Sequence, residues 1–156
     1  MRAVVQRVQR AAVRVQGEEV GATGPGLLVY LGIGPGDDEP VARHLAGRVA
    51  TLRVFPDDQG RMNRSLLEAG GQALVVSQFT LYAATGRGHR PSFLGAAAPA
   101  AALQLCRRFT EELGRLGVVG VAEGRFGAHM EVESVNDGPV TLVVSSGEPP
   151  WEADAG

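Results

Sequence analysis

The run Leu27-Leu28-Val29-Tyr30-Leu31-Gly32-Ile33 is the strongest single indication of how this chain folds, because it is almost continuously apolar. Tyr30 is its only member with a polar tip. An apolar run of this length is typical of a β-strand that is covered on both faces, so we expect it in the middle of a sheet. The rest of the chain then has to supply neighbouring strands and the helices that cover them.

Further strands are predicted on both sides of this run. Residues 11–16 alternate, with Ala11, Val13 and Val15 on one face, which is the period of a half-buried strand. The chain contains 22 glycines spread along its length, and such frequent turn residues favour a β-rich architecture. The later strand candidates are residues 73–76, 118–122, 130–135 and 140–145.

Two helices are predicted between these strands. Asp37, Asp38, Glu39 and Pro40 are capping and first-turn residues, and they indicate a helix that begins here. A second amphipathic helix is predicted over residues 99–116, ended by Gly117. The apolar faces of the two helices consist of Val41, Leu45, Val49 and Leu52, and of Leu103, Cys106, Phe109, Leu113 and Leu116.

The order of these elements predicts a single α+β domain over residues 1–146. We expect a mostly antiparallel sheet or barrel with the two helices packed outside. Exposed strand edges need cover, and a homodimer would provide it. The tail, residues 147–156, is rich in proline and acidic residues and is expected to be disordered.

Composition narrows the functional class. The chain has 156 residues, no signal-peptide pattern at its N-terminus and no apolar run long enough for a membrane span. Its single cysteine, Cys106, allows no intrachain disulfide, so a cytoplasmic location is expected. The formal net charge is −2, so any contact with RNA should be a local basic patch rather than a whole basic face.

Conventional catalytic residues are scarce. The histidines His44, His89 and His129 share no metal-ligand spacing, and Cys106 lies in a helical core stripe, so neither a metal site nor a cysteine nucleophile is expected. No cofactor-binding pattern is present either. What remains is Ser77-Gln78-Phe79-Thr80-Leu81, which is either an ordinary strand end or a strand end whose N–H groups and hydroxyls line a polar pocket.

The segment Asn136-Asp137-Gly138-Pro139-Val140-Thr141 is equally ambiguous. Asp-Gly between two strand-like runs is the usual signal for a hairpin turn. Proline lacks the N–H that a central ladder needs, which supports the same interpretation. Only about 5–6% of X–Pro bonds in folded proteins are cis, so the local sequence favours an ordinary turn.

These two segments, together with Arg87-Gly88 and Arg90-Pro91-Ser92-Phe93, resemble the D-aminoacyl-tRNA deacylase family. The likeness runs in order from Met1 to about Ser145. Further matching segments are Gln6-Arg7-Val8, Gly26-Leu27-Leu28-Val29, Met62-Asn63 and Gly124-Arg125-Phe126. His89 and Tyr82 depart from the family pattern, and their effect on tRNA preference is open.

The resemblance implies an editing esterase that removes D-amino acids and mischarged glycine from tRNA. It implies a homodimer in which Ser77, Gln78, Phe79 and Thr80 of one subunit form the floor of the pocket. Gly138 and Pro139 of the other subunit would enter that pocket as a cis peptide oriented by Arg7. The remaining roles implied are contact with the terminal adenine by Phe126 and Met130, and contact with tRNA phosphates by Arg87 and Arg90.

The resemblance also explains why catalytic residues are scarce. An aminoacyl ester is already activated, and the ribose 2′-hydroxyl of the RNA would assist the attack of water, so the protein mainly positions the ester. Thr80 receives a binding role because no base that could activate it is apparent. Two alternatives remain: a hydrolase of free D-amino acid esters, and a non-catalytic dimeric binding module such as a replication or chromatin accessory protein.

Overall fold

The computed structural model describes residues 1–86 and 89–147. The expected disorder of the tail therefore concerns residues that, except for Gly147, lie outside the described part of the chain. The elements in order are β1 (Arg2–Val15), β2 (Glu18–Thr23), β3 (Gly26–Gly32), α1 (Glu39–Thr51), β4 (Phe55–Pro56), β5 (Met62–Arg64), α2 (Leu66–Ala69), β6 (Gln72–Ser77), a 3₁₀ helix (Phe79–Tyr82), α3 (Pro99–Arg115), β7 (Val121–Glu123) and β8 (Glu131–Ser145).

Six strands form one mixed, nearly closed sheet, in agreement with the predicted α+β class. β1 pairs antiparallel with β2, β3 and β8, whereas β3–β6 and β6–β7 are parallel pairs. β7 approaches β2 at the far end of the sheet, where Gly21 leaves room for the carbonyl oxygen of Glu123. β4 and β5 form a separate two-stranded ribbon.

The central run is covered on both faces, as predicted. Leu27, Val29 and Leu31 face a large core cluster that α1 and α3 cover. Leu28 faces the opposite way, into a smaller cluster enclosed by the curved sheet. Because successive side chains of a strand point to opposite faces, one apolar run can serve both cores. The partners of Leu28 in the smaller cluster are Val8, Ala11, Val13, Leu74 and Val76.

Both predicted helices are present. The carboxylate of Asp38 accepts a hydrogen bond of 3.0 Å from the N–H of Val41 and so caps α1. Gly117 follows α3 with φ +99°, the left-handed conformation that glycine adopts readily. The four-residue α2 is an additional helix, held by a capping box between Ser65 and Glu68. No helix in the described part of the chain is long and apolar enough to span a membrane.

The strand predicted over residues 118–122 is shorter than expected. The N–H of Val118 donates to the carbonyl of Leu113 at 3.1 Å, and that of Gly117 donates to Gly114 at 3.0 Å. These hydrogen bonds close the C-terminus of α3 and use the N–H groups of Gly117 and Val118, so these two residues cannot donate to a neighbouring strand. β7 therefore begins only at Val121.

The two strands predicted around Gly138-Pro139 are a single strand, β8, and the hairpin turn is wrong. β8 pairs with β1 on both sides of this peptide, with Asn136 opposite Val8 and Thr141 opposite Gln6. Residues 137–140 therefore stand opposite one residue of β1, as a bulge that bends the strand without reversing it. We call residues 137–140 the β8 bulge.

Candidate active site

A cavity of about 610 Å³ opens where β6 ends. It lies between the end of the strand, the start of α3 and the chain that leads into β8. Five of the predicted site residues line it, namely Ser77, Gln78, Phe79, Phe126 and Met130. The structure thus brings together segments that are about 50 residues apart in the sequence.

The floor of this cavity is polar because the strand stops there. The N–H of Gln78 still donates to Leu31 across the sheet at 2.8 Å, and the chain then turns into the 3₁₀ helix. Phe79 is the first residue of that helix, so no carbonyl within the helix can accept from its N–H. This N–H is available to a ligand oxygen.

Thr80 is less suited to act as a nucleophile than as a positioned dipole. Its hydroxyl oxygen accepts a hydrogen bond from the side-chain amide of Gln78. Thr80 itself is not among the residues that line the cavity. A hydroxyl oxygen engaged by an amide donor is a weaker nucleophile, because the donor draws on its lone pairs.

The mouth of the cavity is aromatic. The rings of Phe79 and Phe93 meet edge to face with centroids 5.2 Å apart. Both remain exposed, Phe79 at 58% and Phe93 at 42% of their surface. Exposed aromatic pairs of this kind offer flat surfaces to ligands. Phe93 has no role predicted from the sequence, although it belongs to one of the segments that carry the family resemblance.

Cys106 and His129 are the titratable side chains of the described lining. Burial raises the pKa of the Cys106 thiol to about 12, and the charge of Glu123 adds to this effect. The thiol therefore stays protonated at neutral pH and is a poor nucleophile. His129 was not predicted to belong to the site, although it lies between Phe126 and Met130, which were.

Three further predicted residues, Arg7, Gly138 and Pro139, form a separate cluster around the Arg7 side chain. Its Nε donates to the main-chain oxygen of Asp137 at 3.1 Å and lies 3.1 Å from a carboxylate oxygen of the same residue. Another guanidinium nitrogen donates to the carbonyl of Val54. A Cβ atom on Gly138 would lie 3.2 Å from the Arg7 guanidinium, so the β8 bulge packs closely on this side chain.

The peptide between Gly138 and Pro139 is cis. Gly138 has φ +135°, and both residues are exposed. The side chain of Asn136 accepts a hydrogen bond of 3.2 Å from the N–H of Val140, which closes the bulge. Neither Gly138 nor Pro139 lines the cavity of its own chain.

Of the two arginines predicted to contact phosphates, Arg90 is exposed and lies outside the cavity lining. Arg87 falls outside the described residues.

Tyr82 lies outside the cavity lining: its ring packs against Gly34, and the Arg2 guanidinium lies 4.7 Å from the ring centroid. Within residues 1–86 and 89–147, no group of three or more His, Cys, Asp or Glu side chains could hold a metal ion.

Comparison with known proteins finds that this chain is similar to the members of one family. The family model described as D-Tyr-tRNA(Tyr) deacylase matches residues 4–145. A protein named D-aminoacyl-tRNA deacylase from Roseiflexus sp. (strain RS-1) is 62% identical over 146 residues, which cover 94% of each chain. The protein of the same name from Deinococcus radiodurans is 56% identical over 144 residues, which cover 92% of this chain and 99% of the relative.

Two solved structures share the fold. One, titled c-Myc DNA Unwinding Element Binding Protein, has a TM-score of 0.89 and 38% identity, and the match covers 95% of this chain and 100% of the other. Another is described as a probable eukaryotic D-amino acid tRNA deacylase. It has a TM-score of 0.76 and 18% identity over 92% of this chain and 97% of its own, which shows similarity of fold.

Proposed function

The chain belongs to the D-Tyr-tRNA(Tyr) deacylase family, hydrolases that act on the ester bond of aminoacyl-tRNA, and we propose that it edits tRNA in the cytoplasm. Its substrates in this proposal are D-aminoacyl-tRNA and glycine mischarged on tRNA(Ala), and its products are the free amino acid and tRNA. L-aminoacyl-tRNA is rejected. The cavity at the end of β6 carries the proposal, because it offers the free N–H of Phe79, the hydroxyl of Ser77 and aromatic walls.

The active unit in this proposal is a homodimer. Ser77 and Gln78 form the floor of one subunit's pocket, Thr80 holds the Gln78 side chain from behind by accepting its amide hydrogen bond, and the N–H of Phe79 faces the carbonyl oxygen of the ester. Gly138 and Pro139 of a second copy enter from above. Their exposure and their absence from the cavity of their own chain support this arrangement, because a peptide in that position is free to enter another subunit.

Chiral selection follows from steric exclusion. Carbonyl oxygens of the entering peptide would hold the α-amino group of the substrate. The side chain of a D-residue then points out of the pocket, whereas that of an L-residue is driven into the backbone of the partner. Glycine has no side chain and passes. Rejection by a clash tolerates many D side chains.

The RNA takes part in the hydrolysis of the aminoacyl ester that it carries. Water attacks the ester carbonyl carbon with assistance from the 2′-hydroxyl, the bond from that carbon to the ribose 3′-oxygen breaks, and the 3′-oxygen leaves with a proton. The N–H of Phe79 stabilises the negative charge that develops on the carbonyl oxygen. Phe126 and Met130 hold the terminal adenine, while Arg87 and Arg90 contact phosphates.

The decisive experiment compares D-tyrosyl-tRNA with L-tyrosyl-tRNA as substrates of the purified protein. We expect rapid release of D-tyrosine and at least a hundredfold slower release of L-tyrosine. Equal rates on the two substrates would refute the selection described above. A D-tyrosyl-tRNA that ends in 2′-deoxyadenosine should be resistant, and unchanged hydrolysis of it would instead assign the chemistry to Thr80 or His129.

Adding D-tyrosine methyl ester as a further substrate separates the alternatives. A hydrolase of free D-amino acid esters would cleave D-tyrosine methyl ester as fast as D-tyrosyl-tRNA. A binding module would release nothing from either substrate while its circular dichroism spectrum and thermal unfolding showed a folded protein.

A further inference from the structure

A second cavity, of about 330 Å³, lies beside the candidate active site. Ser77, Cys106 and Phe126 line both cavities, so the two share a wall. The second cavity is framed by α3 on one side and by the chain that follows β7 on the other. We call it the side cavity.

Two arginines stand at the side cavity. Arg107 comes from α3 and Arg125 from the turn after β7. Both are exposed, and neither guanidinium forms an ion pair within residues 1–86 and 89–147. Elsewhere the chain neutralises many of its arginines in ion pairs, as it does for Arg7, Arg14, Arg43, Arg64, Arg108 and Arg115.

The other polar groups of the side cavity do not cancel this charge. Glu123 is the acidic residue of its lining, and the hydroxyl of Thr110 donates to the Glu123 carboxylate. Two guanidinium groups and one carboxylate leave the lining with an excess of one positive charge. An anionic group that enters the cavity can therefore gain two charge-assisted partners without displacing an existing ion pair.

We propose that the side cavity binds the phosphodiester that joins the last two nucleotides of the tRNA, through Arg107 and Arg125. This inference rests on the proposed function, in which the terminal adenine lies against Phe126. Phe126 also borders the side cavity, so the backbone of that nucleotide leaves the active site towards the two arginines. An aromatic platform flanked by basic groups is the usual arrangement for a single strand of nucleic acid.

The test uses three substrates that differ in phosphate content: D-tyrosyl-adenosine, the D-tyrosyl ester of the dinucleotide CpA, and D-tyrosyl-tRNA. The first carries no phosphate and the second carries one phosphodiester. The variants are Arg107→Gln, Arg125→Gln and the double variant. Arg61→Gln is the matched control, because Arg61 is also exposed but lies outside both cavities.

We expect each single variant to raise KM about fivefold on the CpA ester and on tRNA, with kcat unchanged. On D-tyrosyl-adenosine all variants should equal the wild type. The double variant should also reduce the salt dependence of kcat/KM by about 0.7 in the logarithmic slope, the value for one phosphate contact on a single strand.

Three results would overturn the inference. The arginine variants could match Arg61→Gln on all substrates, they could lose activity equally on D-tyrosyl-adenosine, or they could lose it on tRNA but not on the CpA ester. Failure of the proposed function has a different signature, because the wild-type protein would then hydrolyse none of the three substrates.

Discussion

Arg7 joins parts of the chain that are distant in sequence. Its guanidinium reaches the carbonyls of Val54 and Asp137, and its Nε is paired with the Asp137 carboxylate. The planar guanidinium can make these contacts at the same time because its N–H groups point in fixed, diverging directions. Arg7 is half-buried, so the loss of these contacts would leave carbonyl groups that water reaches poorly.

Substitution of Arg7 by lysine tests whether this geometry matters beyond the charge. An ammonium group cannot serve Val54 and Asp137 together, so Arg7→Lys should cost about 2 kcal/mol of unfolding free energy. It should also lower kcat/KM on D-tyrosyl-tRNA at least tenfold, because the β8 bulge loses its support. Urea unfolding and initial rates measure the two effects. Arg64→Lys is the control: Arg64 forms an exposed ion pair with Asp58, so this variant should change neither the unfolding free energy nor kcat/KM. Full activity of Arg7→Lys would contradict the positioning role of Arg7.

At the scale of elements, the parallel pairing of β3 with β6 depends on a glycine. Gly26 stands opposite Gln72 in the ladder. A Cβ atom on Gly26 would overlap the main-chain carbonyl of Gln72, and a backbone carbonyl cannot move aside. The close approach draws β6 against β3, and β6 carries the floor of the active site at its other end.

Gly26→Ala should therefore destabilise the protein by about 3 kcal/mol, since strands forced apart lose both packing and hydrogen bonds. Gly47→Ala is the matched control. Gly47 lies inside α1 with nothing within 4 Å of the added Cβ, so alanine should stabilise that helix by about 0.5–1 kcal/mol. Urea denaturation of both variants gives the comparison, and equal stability of the two would disprove the steric argument.

The elements that could be predicted from the sequence are those with local signals. The apolar run of β3 and the caps around Asp38 are of this kind, and both are confirmed. α2 was missed although Ser65 and Glu68 form a readable capping box. The hairpin turn that the local sequence predicts at Gly138 is wrong for another reason. β1, more than 120 residues earlier, pairs with β8 on both sides of the bulge, and no local pattern shows that pairing.

The active site, too, could be predicted from the sequence only in part. Ser77, Phe126 and Met130 could be assigned to one pocket because the family resemblance links them, and the structure brings them together. The side cavity could not be predicted, since it depends on how α3 packs beside β7. Cavities arise between elements, so their walls follow from packing rather than from any one segment.

At the scale of the whole molecule, β8 leaves apolar surface uncovered. It pairs with β1 along one edge, and within the described part of the chain no strand covers its other edge. Leu142 and Val143 are exposed on it at 38% and 48%. An unprotected edge with apolar side chains invites pairing with another chain. A second copy that docks here would bring its own β8 bulge with it.

Sedimentation velocity of the wild-type protein should therefore give twice the 16.3 kDa mass of one chain. Val143→Asp should yield monomers, because a carboxylate is costly to bury at a subunit contact, and these monomers should have lost deacylation activity. Val119→Asp is the control: Val119 is 71% exposed but lies outside β8, so this variant should remain dimeric and active. An active monomer would refute the shared site.

The β8 bulge also has a consequence for protein engineering. Pairing with β1 resumes on each side of it, at Thr141 and at Asn136, and a further irregularity in β1 lies between Val8 and Arg10. In an ordinary strand, one inserted residue would turn every later side chain to the other face. Within the bulge, we expect an insertion or deletion to be absorbed before the ladder resumes. Loops of other lengths or compositions could therefore be grafted between Asn136 and Thr141, which would alter the substrate range while the sheet keeps its register.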